Sequence, residues 1–319
     1  MNDEQINGLI KSMENPRLIE THISWVLLDK FVYKIKKPLK FSFLDFSTVD
    51  MRRFFCEEEI KLNSRLAKNV YLGVVPITED TKKIALNGKG KIIDYAVKMR
   101  KLEQEKMMDR LLVSDKISEK EITKLAKIVV DFHQKVEIVQ GGYNSPEMIS
   151  EQIADLGNFR DAIESASGLG KWVDNILERS ARFIKKNKRL LEKRMTEGRI
   201  RECHGDLHSG NVFFQEDIII VDCIEFSKNF RCIDVVSDVA FMAMDLDFFG
   251  RHDLSEIFVA EYVKLTRDVE LKSLLDFYKC YRANVRAKIA AIEWLQKKTG
   301  REKIDRYVLI AEKYSKSLG

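Results

Sequence analysis

The hydrophobic period of this 319-residue chain changes once, near residue 100, and that change limits what the chain can fold into. Before it, short β-rich runs dominate: SWVLL, FVYKIK, YLGVVPI, KKIALN and KIIDYAVKM. Turn-like pieces separate most of them, among them Asp29-Lys30 and the Gly88-Lys89-Gly90 cluster, and these read as hairpins. After it, apolar residues recur at helical spacing, as in ITKLAKIVVDFHQKV and ILERSARFIKKNKRLLEKRM. A short β island, NVFFQEDIIIVD, is the exception. The pattern predicts an α+β protein with a small β-rich lobe at 1–100 and a larger, mainly helical lobe at 101–319.

One helix interrupts the early strands. Ser47-Thr48-Val49-Asp50 has capping-box spacing, and Phe46 and Met51 stand where a hydrophobic staple would place them. The helix that follows, MRRFFCEEEIKLNSRL, is expected to carry Phe55, Leu62 and Leu66 on one side, with Glu59 on that same face.

Composition excludes several classes. The net charge is only +5, and Lys and Arg are interspersed with Glu and Asp, as where Arg179 and Arg182 follow Glu178. That is a solvated helix face and not the one-sided basic patch of a nucleic-acid binder. The longest apolar stretch, from Val235 to Phe249, is broken by Asp238, Asp245 and Asp247, so no bilayer span is expected. The N-terminal MNDEQINGLI is polar and acidic, unlike a signal peptide. Five cysteines without regular spacing argue against a disulfide framework. A cytoplasmic protein is expected.

The chemistry concentrates in HGDLHSGN, residues 204–211, and in the hairpin after it. Val212-Phe213-Phe214 and Ile218-Ile219-Ile220-Val221 form its two arms. A two-residue turn at Glu216-Asp217 would set Asn211 directly opposite Asp222. A carboxamide and a carboxylate at one end of a hairpin suit a hard cation such as Mg²⁺. Asp206 precedes Asn211 by five positions, the spacing of the H-R-D-L-x-x-x-N loop of protein kinases, with Gly205 in place of Arg.

On these residues the chain resembles the aminoglycoside phosphotransferase family of the protein-kinase-like fold. The likeness extends to the ETHISWVLL and VYKIKKP strands, the YAVKMRKL hinge region and the RCIDVVSDVAF helix. It points to a branch in which the kinase domain can be fused to a P-loop ATPase. No GxxxxGK[ST] occurs here, so no such fused partner is expected. The resemblance implies two lobes with ATP or GTP between them and a small-molecule acceptor. Asp206 would orient or deprotonate the acceptor hydroxyl, and Asn211 and Asp222 would hold Mg²⁺. Lys34 would contact the α and β phosphates, with Lys36, on the same strand face, as the alternative. Glu59 would pair with that lysine, and His204 would brace the loop.

Two departures stand out. Thr21-His22-Ile23-Ser24 replaces a glycine-rich loop, leaving Thr21 and Ser24 as the nucleotide contacts there, with Met99 at the hinge. Asp222 is followed by Cys223-Ile224, with Glu225 as a second candidate at the metal.

Other readings compete for some of these residues. Cys203, His204 and His208 could be zinc ligands, although Gly205 and Gly210 disfavour the helix this needs. Arg282, Arg286 and Lys288 form either a solvated helix face or an anionic acceptor site. Asp234 is expected to brace the catalytic loop, leaving Asp238 to face substrate. The favoured function is phosphoryl transfer from ATP or GTP to a small-molecule hydroxyl. Its rivals are a catalytically weak, nucleotide-binding regulatory module and a protein kinase, the latter lacking an evident A-P-E segment.

Overall fold

A computed structural model describes residues 1–41, 43–81 and 83–319. It divides into two compact units, Met1–Met107 with Asn211–Lys228, and Met108–Gly210 with Asn229–Gly319. Among the described residues no helix is long and apolar enough to cross a membrane.

The first unit opens with α1 (Asp3–Lys11) and continues through β1 (Arg17–Glu20), β2 (Ser24–Leu28), β3 (Val32–Lys36), and the small hairpin of β4 (Lys40–Phe41) and β5 (Leu44–Asp45). Helix α2 (Val49–Asn63) follows, then β6 (Tyr71–Glu79), β7 (Ile84–Leu86) and β8 (Lys91–Met99). Six of these strands make an antiparallel sheet in the order β1-β2-β3-β8-β6-β7. The expected strands are all present, although the run KKIALN begins at Lys82, outside the described residues. The hairpin expected across Gly88-Lys89-Gly90 is not formed. Strand β7 pairs with one edge of β6 and β8 with the other, so β7 and β8 do not meet.

Period-2 alternation sorts the side chains of β3. Ile35 joins Trp25, Leu27, Ile77 and Ala96 in a core with Ile6 and Leu9 of α1. Lys34 and Lys36 therefore point to the opposite face, where Val97 packs with Cys56 of α2. Helix α2 starts one residue later than expected. Thr48 is its cap, accepting the Met51 N–H at 3.2 Å, while Ser47 binds Asp45 instead. Its buried face is also more polar than the apolar stripe of Phe55, Leu62 and Leu66: Arg52, Cys56, Glu59 and Asn63 are buried beside Leu62, at i, i+4, i+7 and i+11. Such polar groups need partners, and the site below supplies Glu59 with two.

The second unit begins with α3 (Met108–Val113), α4 (Glu119–Lys135), α5 (Pro146–Ala154), α6 (Arg160–Ser167) and α7 (Gly170–Thr196), ending in β9 (Ile200–Glu202). The chain then returns to the first unit as a hairpin of β10 (Val212–Phe214) and β11 (Ile218–Ile220). The sequence division left this hairpin in the second lobe. Ile219 and Val221 pack instead with Val70, Tyr71 and Val97, which ties it to the first unit's core. After α8 (Lys228–Arg231) come β12 (Cys232–Asp234), α9 (Val235–Phe248), α10 (His252–Thr266), α11 (Leu271–Lys297) and α12 (Arg301–Lys316). Strand β12 pairs with β9. Small residues on α11, Ala283, Ala287 and Ala291, let α9 and α12 pack closely around Phe241, Met244 and Val308. Helix α9 is buried on all sides from Val235 to Leu246, so its Asp238 and Asp245 must find partners inside the protein.

Candidate active site

Residues 203–210 leave β9 as a loop that α9 and α11 hold at several points. Asp238 accepts the His204 N–H on Oδ2 at 2.8 Å and the Gly205 N–H on Oδ1 at 2.9 Å. Asp245, two turns further along α9, accepts the Ser209 N–H at 2.8 Å. From α11, Arg282 donates through Nη1 to the Gly205 carbonyl (2.9 Å) and through Nε to Ser237. Gly205 has φ 85°, a left-handed conformation that a side chain would resist. At Gly210 a Cβ would come within 2.9 Å of His208 Cε1.

This scaffold leaves Asp206 partly exposed, facing His208. The Asp206 N–H donates to His204 Nδ1 at 3.2 Å, which fixes the turn. His208 Nδ1 accepts the Gly210 N–H at 3.1 Å, so in the neutral ring Nε2 carries the proton. That nitrogen lies 3.4 Å from Asp206 Oδ2 and 3.4 Å from Arg286 Nη1. Burial pushes the Asp206 carboxyl up, but His208, Arg286 and His204 outweigh it and hold the group below the usual carboxylate range.

Five charges form an alternating ladder in the first unit. Asp222 is half exposed and receives Lys34 Nζ on Oδ1 at 2.6 Å. Lys34 also lies 3.0 Å from Glu59 Oε1. Lys36 Nζ reaches Glu59 Oε2 at 2.7 Å and then Glu225, both deep inside. Burial raises the Glu59 carboxyl, yet the two lysines overcome it and bring it down to about 2. Glu225 goes the other way, raised by burial against the pull of Lys36. Asp222 itself has φ 65°, unusual for any residue but glycine and least so for Asp and Asn. Tyr71 Oη accepts its N–H at 3.2 Å, and Asn63 Oδ1 accepts the next N–H, of Cys223, at 2.8 Å.

The hairpin before Asp222 is out of the expected register. Phe214 pairs with Ile218, leaving a three-residue loop, because Glu-Asp does not favour the positive φ angles of a two-residue turn. Asn211 therefore faces Val221, whose N–H it accepts at 2.9 Å, and not Asp222. The shift is one residue, so Asn211 and Asp222 still share one end of the hairpin. The donor set, one carboxamide and one carboxylate oxygen, fits Mg²⁺, which completes its shell with water and phosphate oxygens.

Several expectations are redistributed. Asp238, expected to face substrate, is fully buried and grips the 203–210 loop. Asp234, expected to do that, instead caps α9 through the Val236 N–H and forms a bidentate pair with buried Arg194, which also pairs with Asp268. Arg282 is neither a solvated face nor open to an acceptor, being 4% exposed. Arg286, half-buried over the Tyr307 ring, stays next to His208. Lys288 pairs with Asp155. Glu225 meets Lys36, not a metal position. Thr21 and Ser24 close the β1–β2 turn on each other, and Met99 ends β8 opposite Val32 and Tyr71.

Residues 203–208 are not helical, so the zinc spacing of His204 and His208 is lost. Cys203 lies instead with His133 and Asp238, the one group with metal-ligand spacing among the described residues. His133 there contacts Tyr262 Oη at 2.8 Å, and Asp238 is taken up by the loop. All five cysteines are buried thiols. His208 as neighbour of Asp206, and Tyr71 and Asn63 as holders of the Asp222 turn, had no signal in the sequence beyond their polarity.

A strand lysine paired with a helix glutamate in a β-rich unit, and an HGD loop pinned to buried helices, fit the protein-kinase-like fold. The chain belongs to APH, the phosphotransferase enzyme family, whose model matches residues 56–272. An uncharacterised protein of Mycobacterium tuberculosis is 31% identical over 288 residues, covering 88% of this chain and 55% of that protein. The chain thus spans about half the length of the curated relatives it matches. Among solved structures, a thermostable mutant of aminoglycoside phosphotransferase APH(4)-Ia is similar at TM-score 0.58, with 12% identity and 99% of both chains covered. Choline kinase from Cryptosporidium parvum Iowa II is similar at 0.57, with 11% identity over 97% of this chain and 90% of that one. At such identities the likeness speaks for the fold alone.

Proposed function

We propose that this chain transfers the γ-phosphoryl group of ATP or GTP, with Mg²⁺, to a hydroxyl of a small molecule. The observation that carries the reading is Lys34, whose ammonium stands between Glu59 at 3.0 Å and Asp222 at 2.6 Å. In phosphoryl transfer of the kinase type, a lysine held by a helix glutamate faces the phosphates beside a metal-binding aspartate. Lys34 is the better placed of the two lysines, being 15% exposed where Lys36 is sealed off. Asn211 and Asp222 would hold Mg²⁺, whose charge offsets that of the phosphate oxygens. Asp206 would accept a hydrogen bond from the acceptor hydroxyl and aim its oxygen. Its depressed carboxyl is a weak base, which suits orientation in a loose transition state where little proton transfer is needed early. A solved structure of the similar choline kinase LicA contains AMP, which supports an adenine nucleotide here.

The acceptor does not meet Arg282 or Asp238, since the loop uses both. Arg286 remains; Asp245, bound to the Ser209 N–H, is taken by the loop as well. With Arg282 withdrawn, one arginine of the pair is left beside Asp206, which weakens the case for a strongly anionic acceptor and favours a neutral alcohol. Mg²⁺-dependent nucleotide turnover by the purified chain should be screened against sugars, amino alcohols and nucleosides. Stimulation by one class supports the reading. Tight nucleotide binding without turnover on any acceptor favours the regulatory module.

A further inference from the structure

We propose that Glu225 and Lys36 are positioning residues: a buried pair that sets where the Asp222 carboxylate and the Lys34 ammonium stand, without touching nucleotide themselves. The inference rests on the functional reading above and extends it to two residues which that reading leaves without a task.

Position along the ladder separates the two lysines. Exposure falls from 50% at Asp222 to 15% at Lys34 and to 0% at Glu59 and Lys36, with Glu225 at 4%. Lys36 is further covered by the Phe46 ring, 4.9 Å from its ammonium. It has two carboxylates and no opening toward a phosphate. Lys36 holds Glu59 Oε2, so only Oε1 is left for Lys34.

The other end of the pair acts on Asp222. Glu225 follows Asp222 by three residues, and between them Cys223 donates its N–H to Asn63 Oδ1. Asn63 and Glu59 are one turn apart on α2. The helix therefore grips segment 222–225 twice, once directly through Asn63 and once through Glu59, Lys36 and Glu225. A segment whose first residue sits at φ 65° needs such support to keep one conformation. Loss of the Glu225 charge leaves Lys36 to Glu59 alone, draws that carboxylate from Lys34, and frees the backbone that aims Asp222.

The test uses Glu225→Gln, Lys36→Met and the double variant Lys36→Met/Glu225→Leu. Binding of a fluorescent nucleotide is measured while Mg²⁺ is titrated, alongside urea unfolding. Both single variants should raise the Mg²⁺ concentration at half-saturation by about tenfold, the scale seen when residues that orient metal ligands are lost. Acceptor KM should not change. The double variant replaces a buried ion pair by apolar groups and should regain unfolding stability, but not the Mg²⁺ response. Parental Mg²⁺ dependence in the single variants, or a double variant that regains both properties, overturns the proposal in favour of a purely stabilising pair. If the parent binds no Mg²⁺-nucleotide, the functional reading fails by itself. A crystal structure of Glu225→Gln then decides: Lys34 Nζ still hydrogen-bonded to Asp222 overturns the positioning role, and their separation supports it.

Discussion

Lys34 donates its ammonium to Asp222 at 2.6 Å, so the cation suited to the phosphates and the carboxylate suited to the metal neutralise each other. Neither group is sealed in: their side chains are 15% and 50% exposed. An ion pair this open to water contributes little to stability, and charges arriving from a metal and a phosphate can replace each half. Lys34→Met also takes one of two cations from buried Glu59, so it should lower unfolding stability while lowering kcat/KM for nucleotide by ~10² or more, as loss of a preorganised electrostatic contact does. Lys36→Met should lower kcat less. Steady-state kinetics on both variants checks the order; the reverse order would move the phosphate contact two residues along β3.

Asp206→Asn keeps the size of the side chain and removes its charge. Turnover should fall by ~10²–10⁴, the range for a positioned acid–base group, with nucleotide affinity unchanged. Single-turnover rates together with equilibrium nucleotide binding separate the two. A turnover within a few-fold of the parent would exclude Asp206 as the group that handles the hydroxyl.

How legible these residues were depends on how local their cause is. Strand alternation alone puts Lys34 and Lys36 on one face, and helical spacing brings Glu59 to the buried side of α2. Both follow from backbone period. Which of Asp234 and Asp238 grips the 203–210 loop does not, because both are buried and one helical turn apart. The decision lies with Arg194, forty positions from Asp234, which claims that carboxylate and leaves Asp238 to the loop. The pairing of Lys36 with Glu225 spans 189 positions and is equally non-local. The hairpin failed on a local matter, turn chemistry: Glu216-Asp217 reads as a two-residue turn by count but not by φ preference. Arg282 was misjudged because a guanidinium can be buried on carbonyl and hydroxyl oxygens without a carboxylate.

Arg194 holds Asp234 and Asp268 with four hydrogen bonds of 2.5–2.9 Å, and its side chain is fully buried. Arg194→Met would take the paired cation from buried Asp234 and leave buried Asp268 to Arg199, 3.7 Å away. Breaking such a network by removing one partner costs about 3–5 kcal/mol. Urea unfolding should show a lower midpoint at unchanged slope; a loss under ~1 kcal/mol would mean that water reaches the carboxylates.

Asp238→Asn is a smaller change with a larger local effect. One of its oxygens becomes an NH₂ facing the N–H of His204 or Gly205, each now bonded at 2.8–2.9 Å. An unmet buried donor costs about 1–3 kcal/mol. Because those two amides set the loop before Asp206, kcat should fall along with stability, while nucleotide KM stays near the parental value. Loss of stability with full kcat would show that the loop keeps its course without Asp238.

Arg286 should be visible in the pH profile. Burial raises the Asp206 carboxyl, but His208, Arg286 and His204 together hold it below its ordinary value, which is about 3.9 in model peptides. A carboxyl depressed in the folded state stays ionised at every pH above that ordinary value. Its contribution to stability and to rate is lost only as pH falls through the lower folded value. On Asp206's account, kcat/KM of the parent should be level from about pH 5 upward. Arg286→Gln removes one of the cations that oppose burial, so the folded pKa rises and the acid limb of kcat/KM moves to higher pH. Rates of parent and variant followed from pH 8 down through the acid limb, as far as both remain folded, read the shift directly. An unmoved limb with a raised acceptor KM would place Arg286 on the acceptor and leave the ionisation of Asp206 to His208 and His204.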